Sequence, residues 1–312
     1  MNKFSHFSVL VDMSRNAVMN VASVKKFIDY LSAMGYNSIQ LYTEDTYELN
    51  DEPYFGYMRG RYSKDELKEI DRYAISKGIE VIPCIQTLAH LNQIFKWDRF
   101  AEINDFGDEL LVDEPKTYEF IDNALATVKE TFTSRRINIC MDEANMVGLG
   151  KYLRRHGYVN RLELLVRHLN KVNELVIKHG FKPMMWSDLY FTLTNQAYRD
   201  DASKLDKSAL SNVPKNIDIC YWDYYSTDKK HFDNMIEKHR VFDNELWFAG
   251  GAWCWIGFTP HNSYSIKHIK SALTSCAEKG VKNAIITLWG DNGKECSYFN
   301  RIASSYTAHN IL

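Results

Sequence analysis

The sequence has no stretch approaching the roughly 18 consecutive apolar residues that a membrane span requires, so no membrane-crossing helix is expected. Nor is there an excess of charge of either sign. Its 38 Lys and Arg stand against 40 Asp and Glu, a net charge of −2 with no basic block, and nucleic acid is not an expected partner. A secretory leader is not expected either, because Asp12 and Arg15 interrupt the only early apolar run, FSVLVDMS; a cytoplasmic chain is the expectation. The six cysteines, Cys84, Cys140, Cys220, Cys254, Cys276 and Cys296, have no paired spacing, and the first four sit in apolar strand-like runs. They read as buried thiols, not as a disulfide or zinc framework. The ten histidines form no ligand cluster, and no glycine-rich phosphate loop or low-complexity linker occurs. Neither a metal nor a cofactor is expected.

What the sequence does have is material for a large core, 45% apolar and 13% aromatic residues in 312. Four times it repeats one phrase: a helical segment that stops at glycine, then a short apolar run. The instances are LSAMGYNSIQLYTED, YAISKGIEVIPCIQT, LVIKHGFKPMMWSD and CAEKGVKNAIITLWGD, with Gly35, Gly78, Gly180 and Gly280 as the stops. Filling in the remainder predicts strands at Phe7–Ser14, Ser38–Asp45, Glu80–Thr87, Ile137–Glu143, Pro183–Asp188, Ile217–Trp222, Glu245–Gly250 and Ala284–Trp289. Eight units in 312 residues, about 39 each, predict an α/β chain folded as one (β/α)8 TIM barrel domain over 1–312. The strand-to-helix segments Thr46–Ser63, Leu88–Pro115 and Tyr190–Pro214 are long and the return turns short. All long loops then fall at the C-terminal face of the strands, where barrels of this kind build sites. A last amphipathic stretch, SYFNRIASSYTAHNIL, follows the eighth strand.

The predicted strand ends carry Arg15, Glu44 with Asp45, His90, Asp142 with Glu143, Trp186 with Asp188, Trp222 with Asp223 and Tyr224, Trp253 with Trp255, and Trp289 with Asp291. Only Trp97 and Trp247 of the seven tryptophans lie outside this rim. Aromatic faces that pack on the C–H face of a pyranose, interleaved with carboxylates and an arginine for its hydroxyls, suit a sugar pocket. At the centre stands INICMDEAN, an apolar run ending in adjacent acids. A carboxylic acid beside a glycosidic oxygen can protonate the leaving group if burial or a neighbouring negative charge keeps its pKa high. Side chains alternate along a strand, so Asp142 and Glu143 are expected to point differently and to have different tasks.

This order of residues, with TEDTY after the second strand and Trp-x-acid ending the eighth, resembles the glycoside hydrolase family 20 β-N-acetylhexosaminidases. YTEDTYE and QTLAHLNQ resemble its compact branch, which includes hexosaminidase D and certain bacterial exo-hexosaminidases. The resemblance implies a retaining, substrate-assisted hydrolysis, in which the substrate's own acetamido oxygen attacks the anomeric carbon. By resemblance Glu143 is the general acid and base, and Asp142 orients the acetamido group. Arg15 and Asp291, where the family commonly has Glu, hold hydroxyls, and His90, supported by Glu44 or Asp45, tunes the pair. Trp186, Trp222 and Trp289 wall the sugar, and Trp253 stands with them on the rim. The family's tyrosine at the end of the seventh strand is missing from GGAWCWIGF, and Tyr224 in WDYY is the substitute candidate.

The expected partner is a glycan with a terminal β-linked N-acetylhexosamine. Two other readings stand beside this one. A two-carboxylate glycosidase would need a second acid, Asp188 or Asp223; a non-catalytic sugar-binding barrel would have no use for an adjacent acid pair whose repulsion costs stability. Large aromatics in the long loops could cover either substrate or a second copy of the chain, so a homodimer stays open.

Overall fold

The computed structural model describes residues 4–194, 197–199, 210, 213–291 and 293–301. Four helices end as their glycines dictate. Gly35, Gly78, Gly180 and Gly280 have φ of 79°, 73°, 79° and 70°, values open to a residue without a Cβ. In each case the next N–H closes back on the last turn, Tyr36 onto Leu31, Ile79 onto Ala74, Phe181 onto Val176 and Val281 onto Cys276. The following run then becomes a strand.

The strands are β1 (His6–Asp12), β2 (Ser38–Thr43), β3 (Glu80–Ile85), β4 (Asn104–Phe106), β5 (Glu109–Leu110), β6 (Arg136–Asn138), β7 (Lys182–Trp186), β8 (Asp218–Asp223), β9 (Leu246–Gly251) and β10 (Asn283–Leu288). Eight of them close a barrel in the order β1-β10-β9-β8-β7-β6-β3-β2. The (β/α)8 expectation holds. The helices are α1 (Val21–Ala33), α2 (Lys64–Ser76), α3 (Pro115–Thr131), α4 (Lys151–His156), α5 (Arg161–Lys178), α6 (Asp188–Thr192), α7 (Lys229–His239) and α8 (Asn262–Glu278). Their starts are legible too: Ser63 and Glu66 form a reciprocal capping box at α2, and Asn160 caps α5. Among the described residues no helix is long and apolar enough to cross a membrane.

The period-two alternation of the strands divides the core. One face of each strand meets the helices; the other fills the barrel with residues such as Leu10, Tyr42, Ile82, Cys84, Cys140, Met184, Trp186 and Cys220. All six cysteines are buried, and none of them is joined in a disulfide.

Two departures from the sequence reading matter, and two of its segments are only partly described. The fourth barrel strand is regular only over Arg136–Asn138, not to Glu143, because Cys140, Met141 and Glu143 take left-handed φ of 58°, 62° and 54°. The loop after β3 contains the antiparallel hairpin β4–β5, which was not anticipated. Of SYFNRIASSYTAHNIL the structure describes only a short 3-10 turn, Tyr298–Arg301, and part of its lead-in; residues 302–312 lie outside the described residues, as do 195–196, 200–209 and 211–212 of the loop Tyr190–Pro214.

Candidate active site

At the end of β1 the buried Asp12 is a hub. It accepts the Ser14 N–H at 3.0 Å, the Ser14 hydroxyl at 2.7 Å, the Gly290 N–H at 2.8 Å and Arg15 Nη1 at 3.0 Å. The loops after β1 and β10 are thereby tied together, and the Arg15 guanidinium is held over the Tyr42 ring, 5.5 Å from its centroid and 3.4 Å from Glu44 Oε1. Tyr42 hydrogen-bonds Glu44 at 3.2 Å and receives Gln86 Nε2 at 2.9 Å; the same amide nitrogen donates to Asp142 Oδ1 at 3.1 Å. A polar chain thus runs under the floor of the site from Arg15 to Asp142.

The left-handed residues before and at Glu143 break the strand alternation, so both acids line one cleft. His90 Nε2 lies 3.4 Å from Asp142 Oδ2 and 3.6 Å from Glu143 Oε2. Burial by itself would lower the His90 pKa, but the negative charge of Asp142, with Glu44 and Glu143 behind it, pushes it up to about 10, so the ring is a cation at neutral pH. Burial would raise Asp142; the His90 cation and the Gln86 amide hold it below the usual aspartate range instead. Glu143 moves the other way, raised by burial and by the Asp142 charge. Two adjacent carboxyls are thereby driven apart, one kept as an anion and one biased toward the acid.

Above them the cleft, of about 530 Å³, is walled by Trp186, Trp222, Tyr224, Trp255 and Trp289, with Arg15 and Asp291 on the polar side. Trp222 stacks on Tyr224 with centroids 5.2 Å apart, Trp255 meets Tyr224 at 5.5 Å, and Trp289 meets Tyr42 edge-on at 4.9 Å. Flat apolar walls on one side and fixed ionic groups on the other give a pocket that grips a ring by its faces and its substituents separately.

Residues 4–245 match the model of the glycosyl hydrolase family 20 catalytic domain. The chain belongs to glycoside hydrolase family 20. It is 25% identical over 259 residues to human hexosaminidase D, covering 75% of this chain and 49% of that protein. It is 23% identical over 264 residues to a β-hexosaminidase of Akkermansia muciniphila, covering 69% of this chain and 53% of the relative. Its fold is that of a solved β-N-acetylhexosaminidase from Bacteroides fragilis, at a TM-score of 0.70 and 17% identity over 97% of this chain and 65% of the other. The chain therefore spans about half the length of those two curated relatives.

Most of the rim residues of this family 20 chain converge as expected: Arg15, His90, Asp142, Glu143, Trp186, Trp222, Tyr224, Trp289 and Asp291 all line the cleft. Others do not. Asp45 points away and pairs with Arg59 at 3.2 Å. Glu44 lines an adjoining, mostly polar chamber of about 660 Å³ that shares Arg15, His90 and Asp291 with the cleft. Burial beside Asp12 pushes Glu44 up to about 7 against the pull of Arg15. Trp253 stands behind the wall, donating to the Tyr224 carbonyl at 2.6 Å, and Trp255 takes the lining position. Glu44 supports His90 through its charge, while the hydrogen bond that seats the His90 backbone comes from neither Glu44 nor Asp45. It goes from the His90 N–H to Asp108, 3.0 Å away, and steadies a left-handed φ of 57°.

The candidate second acids are both engaged elsewhere. Asp188 accepts the Glu143 N–H at 2.9 Å and Trp222 Nε1 at 3.1 Å, and burial with the nearby Asp142 charge raises its pKa. Asp223 takes Tyr221, His231 and the Tyr225 N–H. Sequence reasoning missed Asp12, Tyr42, Gln86, Asp108 and Tyr225. The period-two pattern up β2, which turns Gln40, Tyr42 and Glu44 to the same face, could have found Tyr42; nothing local marks Asp108.

Proposed function

We propose that the barrel is the catalytic unit of an exo-acting β-N-acetylhexosaminidase that removes terminal β-linked N-acetylhexosamine from glycans or glycoconjugates with retention. The substrate's acetamido oxygen attacks the anomeric carbon while Glu143 gives its proton to the departing glycosidic oxygen, leaving a cyclic oxazolinium. Asp142, kept anionic by His90, accepts the acetamido N–H and offsets the positive charge that develops there. Glu143, now a carboxylate, takes a proton from the water that opens the ring at the anomeric carbon. Trp186, Trp222 and Trp289 enclose the sugar, Tyr224 is the partner for the acetamido oxygen, and Arg15 and Asp291 take ring hydroxyls.

The observation that carries this reading is a histidine within 3.6 Å of two neighbouring acids on one cleft, an arrangement that favours the anion at Asp142 and the acid at Glu143. The engagement of Asp188 and Asp223 in buried hydrogen bonds supports it against a two-carboxylate scheme. The test is release of para-nitrophenol from the β-N-acetylglucosaminide and from the plain β-glucoside, each with and without a thiazoline mimic of the oxazolinium. Turnover confined to the acetamido substrate and blocked by the thiazoline is expected; equal turnover of both glycosides would exclude substrate assistance.

A further inference from the structure

The β4–β5 hairpin lies outside the cleft, yet its acidic side chains grip both loops that supply the catalytic groups. Asp105 accepts the Gly148 N–H at 2.9 Å and the Tyr152 N–H at 2.7 Å, Glu109 Oε1 accepts the Met146 N–H at 2.8 Å, and Asp108 accepts the His90 N–H at 3.0 Å. Backbone bonds Leu91 N–H to Asp108 O at 3.1 Å and Leu110 N–H to Leu88 O at 2.8 Å complete the attachment on the His90 side. Asp188 at the start of α6 holds the Glu143 N–H, but the left-handed glutamate is followed at once by the Asn145 N–H to Glu143 O contact, and the segment after it lies in no helix or strand before α4 and needs a hold of its own. Glu109 is 3% exposed, and its second oxygen, Oε2, is buried with no hydrogen-bond partner. A carboxylate satisfied on one oxygen alone is costly in such a place.

We propose that Glu109 is a positioning residue for the reaction assigned above: through the Met146 N–H it fixes the segment that presents Glu143, and its hairpin keeps that segment in register with His90. The inference rests on that reading only for its kinetic part. Three groups face Glu109 across the contact: Asp105 and Asp108 from its own hairpin, and Arg161 from the start of α5, which also donates to the Asn145 carbonyl at 2.5 Å. Burial first, then the two aspartates, push Glu109 up to about 7 against the Met146 N–H and Arg161. Between its ordinary value of 4.5 and about 7 the folded chain holds a proton there that the unfolded chain lacks. The stability that Glu109 lends the folded hairpin is therefore full below that range and falls as pH rises through about 7, because the buried site disfavours the charge even though the Met146 N–H favours it.

The test compares the full chain with Glu109→Gln, Glu109→Ala and Glu109→Asp. The first readout is the NMR titration of the His90 ring, which needs no turnover; the second is kcat and KM on the para-nitrophenyl β-N-acetylglucosaminide from pH 5 to 9. In Glu109→Ala the His90 pKa is expected to fall by about one unit as the carboxylates slip away from it, with kcat down about tenfold and KM within about threefold. Glu109→Gln, a neutral isostere that keeps the acceptor, should restore both near pH 6 and lack part of the wild-type decline above pH 7. Glu44 ionises in the same range, so the difference between the two profiles is what counts. A folded alanine variant with an unchanged His90 titration would overturn the proposal, whatever its melting temperature. If alanine prevents folding, Glu109→Asp decides, since one methylene fewer withdraws the acceptor from Met146; an unchanged His90 value there overturns it equally. A wild-type chain without acetamido-sugar turnover removes the proposed activity, while the titration still judges Glu109.

Discussion

Asp142 and Glu143 are chemically near-identical neighbours, and only their surroundings give them different work. Asp142 faces the His90 cation and the Gln86 amide; Glu143, its side chain about half exposed to the cleft, faces the Asp142 charge. Exchanging each for its amide tests the division. Glu143→Gln should lower kcat on substrates with poor leaving groups by about 100- to 10,000-fold while leaving sugar binding intact by calorimetry. Asp142→Asn should cripple turnover as well, and it should also release His90, whose pKa then falls from about 10 toward its ordinary 6.5. Full activity in both variants would mean that the acids have been misassigned.

At the scale of elements, the site depends on loops whose backbone is held by side chains distant in sequence. Gly150 shows how tight one such junction is, for a Cβ there would stand 2.3 Å from the Asp105 carbonyl oxygen and 2.7 Å from Phe106 Cβ. Gly157, a few residues on, has open space around it but a φ of +77°. Gly150→Ala is therefore expected to push the hairpin off the segment after Glu143, costing activity as well as about 2 kcal/mol or more of stability. Gly157→Ala, at φ 77° and ψ −177°, a conformation nearly confined to glycine, should cost about 1–3 kcal/mol and leave kcat alone. Urea unfolding and kcat measured on both variants check this, and equal kcat losses would contradict it.

For the whole molecule, buried acids with pKa values raised toward neutrality and buried histidines with lowered ones, His168 to about 4 and His239 to about 3, give the fold opposing pH dependences that single substitutions can separate. Glu44 and Glu109 are pushed up to about 7 from 4.5, chiefly by burial. In that interval these two groups bind more protons in the folded chain than in the unfolded one, so their contribution to stability falls as pH rises through it. A single carboxyl displaced this far is worth on the order of 3 kcal/mol. The buried histidines act in the opposite direction up to about pH 6.5, so the test is a difference: Glu44→Gln is expected to remove one falling contribution and make the change of Tm from pH 5 to pH 8 more positive than in the parent chain by about 5 °C. An unchanged pH dependence of Tm in Glu44→Gln would contradict the burial of a neutral acid at this site.

The periodic part of this protein was legible in its sequence. Helices stopped by Gly35, Gly78, Gly180 and Gly280, strands alternating at period two, and acids and tryptophans at one end of successive strands are local patterns, and they determined the barrel and the rim of its cleft. What sequence could not supply was set by contacts between residues far apart along the chain. The left-handed turn through Cys140, Met141 and Glu143 ends β6 early and aims both acids into one cleft, against the alternation that the local run predicts. Trp255 rather than Trp253 lines the pocket because the Trp253 indole reaches the Tyr224 carbonyl, 29 positions away. Asp108 and Glu109 grip His90 and the Glu143 segment through backbone N–H groups that carry no residue identity. Such bonds depend on where the chain returns in space, and so only the tertiary structure decides them.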